Sequence, residues 1–249
     1  MRNMITGMLP PVTKNLLIIN VLVWLFGTLM PTAAPVIERY FALHYFTSPA
    51  FYPWQLFTYM FLHGGFMHVF FNMFALFMFG GIIERSLGAS RFLFYYISCG
   101  IFAGLAQMGA FAITISRYME LFTPAESDYI INQGWQLLQQ GFNYAEPTAA
   151  TLNALVNQAM VGASGAVYGV LLAFGMLFPN QPIYLYFAIP IKAKWMVAGY
   201  AVIELLYCIS GGSTVDNVAH LAHLGGMLLG FVMIIYWRRK GLFNNRWFF

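Results

Sequence analysis

Ser164 stands in the run Gly162-Ala163-Ser164-Gly165, a serine between small residues at the head of an apolar stretch. Its hydroxyl is uncrowded, and at a helix N-terminus the adjacent backbone N–H groups point toward any oxyanion that develops beside it. Tyr168 follows one turn later on the same face. Alone, this is a weak signal, because glycine and serine are common packing devices between membrane helices. A second cluster is His220-Leu221-Ala222-His223-Leu224-Gly225-Gly226, followed by Gly230. His223, Gly226 and Gly230 share one helical face, and the GxxxG spacing of the two glycines lets backbones approach closely. Gly165 and Gly169 offer a matching face, so docking the two would bring His223 against Ser164. The third cluster is His63-Gly64-Gly65-Phe66-Met67-His68, continuing to Asn72. His68 and Asn72 are one turn apart on a Phe-rich helix, where they serve either a helix–helix hydrogen bond or chemistry.

These types make a coherent set. Serine needs a base to become nucleophilic, and neutral imidazole takes its proton near pH 7. A tetrahedral intermediate needs donors already in place, and His68, Asn72 and the Ser164 backbone N–H are the candidates. No acid is placed to complete a triad. Both aspartates, Asp128 and Asp216, fall in loops, so a Ser164–His223 dyad steadied by Tyr168 is the natural reading. Glu204 lies inside another apolar run; it reads as a buried hydrogen-bond partner kept neutral by desolvation. The sequence does not name its partner. His220, one turn before His223, is expected beside the site or facing a loop. His220 and His223 could ligate a metal, but no nearby Cys or carboxylate completes a site, so no metal and no cofactor is expected.

The elements that must position these groups follow from composition. Of 249 residues 60% are hydrophobic and 8% charged, too few charges to coat a soluble domain. The chain reads as an all-α membrane protein. Uncharged stretches predict six spans, at about 16–30, 66–83, 92–116, 162–178, 195–210 and 218–237. No run shows sustained alternation with period two, which argues against a barrel. Six spans put both termini on one side. If that side is the cytoplasm, it carries Arg2, Lys14, Arg85, Arg91, Lys192, Lys194, Arg238, Arg239, Lys240 and Arg246, against Arg39 and Arg117 outside. Residues 31–62 then form an outer interfacial loop. Residues 118–160 form an outer insertion, read either as two amphipathic helices, the first opened by a Thr123–Glu126 capping box, or as a solvated spacer. Cys99 and Cys208 sit in apolar runs and build no disulfide framework. A net charge of +4 with scattered basic residues gives no nucleic-acid surface.

With these motifs assembled, the chain resembles the rhomboid intramembrane serine proteases. The resemblance runs from the first span to the sixth. It is carried by His63…His68…Asn72, by Gly80-Gly81…Glu84-Arg85…Gly88, by Gly162-Ala163-Ser164-Gly165 with Tyr168, and by Ala222-His223…Gly226…Gly230. It implies a six-helix rhomboid-like bundle spanning 1–249 as a single domain. It further implies Ser164 as nucleophile, His223 as general base and His68 and Asn72 around the oxyanion, with Gly162, Gly165, Gly226, Gly230, Tyr168 and His63 in support. The implied partners are the lipid bilayer and transmembrane protein substrates cut near the outer face. Two features depart from the family pattern: Trp54-Gln55 replaces a Trp-Arg pair that often anchors the outer loop, and the 118–160 insertion is long.

HExxH and GxGD motifs are absent, which sets aside zinc and aspartyl intramembrane proteases. A transporter predicts internal repeats and midplane charges, neither of which is visible. The alternative from another class is a non-catalytic rhomboid-like protein that binds or routes membrane clients. Met1 without a Ser- and Arg-rich leader leads to the expectation of a bacterial inner membrane. Nothing in the sequence sets an oligomeric state.

Overall fold

The computed structural model describes residues 9–185, 189–209 and 218–242. Arg2 and Arg246, used above in the charge distribution, and Asp216, weighed as a triad acid, lie outside them. The described chain is mostly helical. In order, it has α1 (Pro11–Leu29), α2 (Ala34–Phe41), α3 (Gln55–Thr58), α4 (Phe66–Leu87), α5 (Ala89–Met119), α6 (Pro124–Gln139), α7 (Pro147–Asn157), α8 (Ser164–Leu177), β1 (Pro182–Leu185), β2 (Ile189–Lys192), α9 (Ala193–Ile209) and α10 (Val218–Arg239). Among the described residues, four helices are long and apolar enough to cross a membrane: α1, α4, α5 and most of α10. The other two expected spans coincide with α8, of 14 residues, and α9, of 17.

The mostly helical chain fits the expected all-α class, with one local addition: β1 and β2 pair antiparallel, Pro182 opposite Lys192 and Leu185 opposite Ile189. Strands of four residues are too short to show a periodic pattern.

The centre of the bundle is α5, packed against α8 and α10. Phe92, Tyr95, Tyr96 and Cys99 on α5 are fully buried against Val170 and Ala173 of α8. Two buried hydroxyls here find backbone acceptors: Tyr95 donates to the Gly169 carbonyl at 2.7 Å and Tyr59 to Gly100 at 2.7 Å, while the buried Tyr96 hydroxyl has no partner among the described residues. The outward faces are apolar. Phe66, Phe70, Phe71, Phe74 and Phe77 are exposed on α4, and Ile203, Leu205, Leu206 and Ile209 on α9. Surfaces of this kind suit lipid rather than water. Within α4, Leu76–Gly80 widens into a π turn, where Gly80 leaves no room for a Cβ beside Leu76 and Thr13.

At the opposite end of α4 from the His68 cluster, Glu84 is 2% exposed and caps α1 across the bundle. Its carboxylate accepts from the Val12 N–H at 3.0 Å, the Thr13 N–H at 2.7 Å and the Thr13 hydroxyl at 2.8 Å. Two of the unpaired backbone N–H groups at the α1 terminus, and the Thr13 hydroxyl, are thereby satisfied by one side chain. Glu84→Ala should lower stability by about 2–4 kcal/mol, read as the unfolding midpoint in detergent. A midpoint equal to the parent would remove this role.

The segments 31–62 and 118–160 are folded onto the bundle. Thr123 and Glu126 form a capping box at the start of α6, the Glu126 carboxylate accepting from the Thr123 N–H at 2.8 Å. Ile130, Ile131, Leu152, Leu155 and Val156 of α6 and α7 pack with Tyr45 and Ile115. A polar chain runs beneath them: Ser48 donates to Asn157 at 2.7 Å, Asn157 to Asn153 at 2.8 Å and Asn153 to Asn143 at 2.8 Å. The anchoring doubt raised by Trp54-Gln55 has a direct answer. Gln55 is fully buried; its amide donates to the Arg39 and Ala50 carbonyls at 3.0 and 2.8 Å, and its oxygen accepts from the His44 N–H at 3.3 Å. Trp54 donates to the Tyr40 carbonyl at 2.8 Å.

Candidate active site

The segment leading into Ser164 is pinned by backbone bonds to Leu43 and Tyr59, in the stretch between α1 and α4. Leu43 and Met160 exchange a pair of bonds at 2.9 and 2.8 Å, and the Gly162 N–H donates to Tyr59 at 3.0 Å. Gly162 has φ +135°, a conformation that suits glycine, and a methyl group there would stand 2.7 Å from His68 Nε2 and 3.6 Å from Ser164 Oγ. The absent side chain leaves room for the His68 ring beside the serine. Ser164 is the first residue of α8, so its own N–H belongs to the helix terminus whose donors have no intrahelical acceptor.

The glycine faces of α8 and α10 meet. A methyl group on Gly226 would lie 2.0 Å from the Gly165 carbonyl oxygen, and one on Gly165 would lie 3.5 Å from the Ala222 carbonyl. Gly230 instead faces the Tyr95 hydroxyl, 2.3 Å from where a Cβ would stand. Gly226→Ala should force the two backbones apart and cost about 3 kcal/mol or more. A variant that unfolds at the parent temperature would refute that close approach.

This docking sets the His223 ring flat on Tyr168, with centroids 4.1 Å apart and planes 8° from parallel. His223 is thereby held against the side chain that follows Ser164 by one turn on α8. His68, whose Nε2 stands beside Gly162, meets His63 edge to face at 5.0 Å. His63 precedes α4; burial, aided by His68, pushes its pKa down to about 4, so it is neutral at pH 7. Asn72 is buried and donates one amide hydrogen to the His68 carbonyl at 3.0 Å, leaving the other available.

The expectation that no acid stands at the site is corrected. Glu204 of α9 reaches across to α10, with Oε1 3.0 Å from His223 Nδ1 and Oε2 2.5 Å from His220 Nδ1. Tyr168 donates its hydroxyl to the same Oε1. A carboxylate in an apolar span is a functional signal in any sequence. Its partners were hidden because they lie 16 and 19 residues away on another helix, and helical periodicity relates residues only within one helix. The same finding corrects the premise on which a metal was set aside. Glu204, His220 and His223 bring three ligand-type atoms within 4.8 Å of one another.

A family model described as Rhomboid domain matches residues 50–116 and 135–240. The rhomboid YdcA of Bacillus subtilis is 28% identical over 90% of this chain and 89% of its own length. An uncharacterized mitochondrial rhomboid protein of Schizosaccharomyces pombe is 25% identical over 76% of this chain. The rhomboid protease GluP of Bacillus subtilis is 24% identical over 72% of it. The chain spans 53% of the yeast protein and 25% of GluP.

Proposed function

Since the chain belongs to the rhomboid family, an intramembrane protease family of multi-pass membrane proteins, we propose that it is a serine endopeptidase that cuts transmembrane proteins near the outer membrane face. Six spans with both termini in the cytoplasm put the Ser164 end of α8 at that face. Ser164 Oγ attacks the scissile carbonyl while His223 Nε2 takes its proton. The oxyanion that results is met by the Ser164 N–H, Asn72 and His68. Collapse of the intermediate expels the amine, which receives the proton from His223 and leaves an acyl-enzyme on Ser164. Water, deprotonated by the same imidazole, then releases the acid product.

The observation that carries this reading is the parallel stack of His223 on Tyr168, one turn from Ser164. An imidazole held this way by a neighbouring helix is costly to build for packing alone, and it offers a base to a serine at a helix N-terminus. The test is labelling of the detergent-purified protein with a fluorophosphonate probe. Covalent labelling at Ser164 that is lost in His223→Ala is the expected result. An unlabelled, folded protein would instead favour a client-binding rhomboid relative without catalysis.

A further inference from the structure

Glu204 is 4% exposed in the middle of an apolar helix, and among the described residues each group hydrogen-bonded to its two oxygens, Tyr168, His220 and His223, can donate. The face of α9 that carries it is built to grip the neighbouring helices. One turn before Glu204, the Tyr200 ring meets Tyr168 edge-on with centroids 6.3 Å apart. One turn after it, Tyr207 stacks on His220 at 4.6 Å and 10°. The carboxyl group is therefore held from both sides while one oxygen is aimed at the Nδ1 of His223.

We propose that Glu204 is a positioning residue for His223: as a carboxylate it accepts the Nδ1 hydrogen and so holds the imidazole in the tautomer whose Nε2 lone pair faces Ser164, with His220 and Tyr168 fixing the carboxylate. The inference rests on the protease reading above and turns the dyad into a carboxylate-backed one. An ionised carboxylate only accepts, so a ring nitrogen facing it carries the hydrogen, and the other nitrogen is left as the base. His220 occupies the second oxygen, which keeps the carboxylate from rotating away from His223. The Tyr168 hydroxyl shares the first oxygen, and its ring supports the imidazole face, so one side chain fixes both partners.

The test uses the full chain in micelles with 15N-labelled histidine, alongside reporter cleavage. In the parent, the His223 nitrogen shifts should report the Nδ1–H tautomer. Glu204→Gln, whose amide can donate to Nδ1, should shift His223 toward the Nε2–H tautomer. It should lower kcat roughly 10- to 100-fold with KM unchanged. Glu204→Asp should restore part of the rate. If Glu204→Gln does not fold, His220→Ala removes only the second grip and should change kcat and tautomer in the same direction, less far. Parental kcat and tautomer in a folded Glu204→Gln would overturn the proposal. So would cleavage that a chelator abolishes and zinc restores, since the three groups would then be metal ligands. Cleavage that survives Ser164→Ala would sink the protease reading instead, and the tautomer measurement would still decide what Glu204 does.

Discussion

Ser164→Ala and His223→Ala should each reduce cleavage of a single-span reporter by at least about 10⁴-fold, and the double variant should be no slower than either alone. The size follows from the roles. Without Oγ no acyl-enzyme forms, and without the imidazole the hydroxyl keeps its proton at neutral pH. The non-additivity follows because the two groups act in one step, so removing the second takes nothing further away. Neither change should cost the fold much. Ser164 and His223 are both half-buried, and the close approach that holds α8 to α10 is made by Gly165 and Gly226 instead. Reporter cleavage in matched amounts of folded protein, judged by thermal unfolding in detergent, separates the two effects. Cleavage within tenfold of the parent in either variant would end the Ser164–His223 mechanism.

The residues that could be read from the sequence are those whose signal is local. Thr123 and Glu126 are three apart, and a capping box is a property of four consecutive residues. Gly226 and Gly230 mark a close helix approach by spacing alone, and Gly226 meets Gly165 in the fold. Spacing could not say that Gly230 would face Tyr95 of α5, because the register of a third helix is not written in the other two. The hairpin was invisible for a different reason: each strand has four residues, less than a pattern needs. Buried polar contacts between distant segments were the hardest to see. Ser48 meets Asn157 across 109 residues, and Glu84 caps α1 across 71 and 72. Glu204 belongs with them. Its oddity in an apolar run was plain, yet its task depended on which face of α10 it would meet.

The same limit shapes the oxyanion groups, where a donor is defined by what it points at. Asn72→Ala should lower kcat by about 10²–10³-fold, the usual cost of losing one oxyanion donor, with KM little changed. One amide hydrogen of Asn72 is taken by the main-chain carbonyl of His68 at 3.0 Å, one turn back on the same helix. The second hydrogen is what the chemistry would need. Asn72→Asp separates the two tasks, because it keeps the shape and removes both donors. If Asn72 stabilises the oxyanion, Asp should be at least as slow as Ala, since a negative group beside a developing negative charge repels it. If Asn72 only supports the helix, both variants should unfold earlier and keep the parental kcat. His68→Ala completes the argument. Its ring occupies the space that Gly162 leaves open beside Ser164 Oγ, and no residue other than glycine at 162 would leave it there. A shared oxyanion site therefore predicts that losing either His68 or Asn72 slows turnover, and that losing both slows it by less than the product of the two.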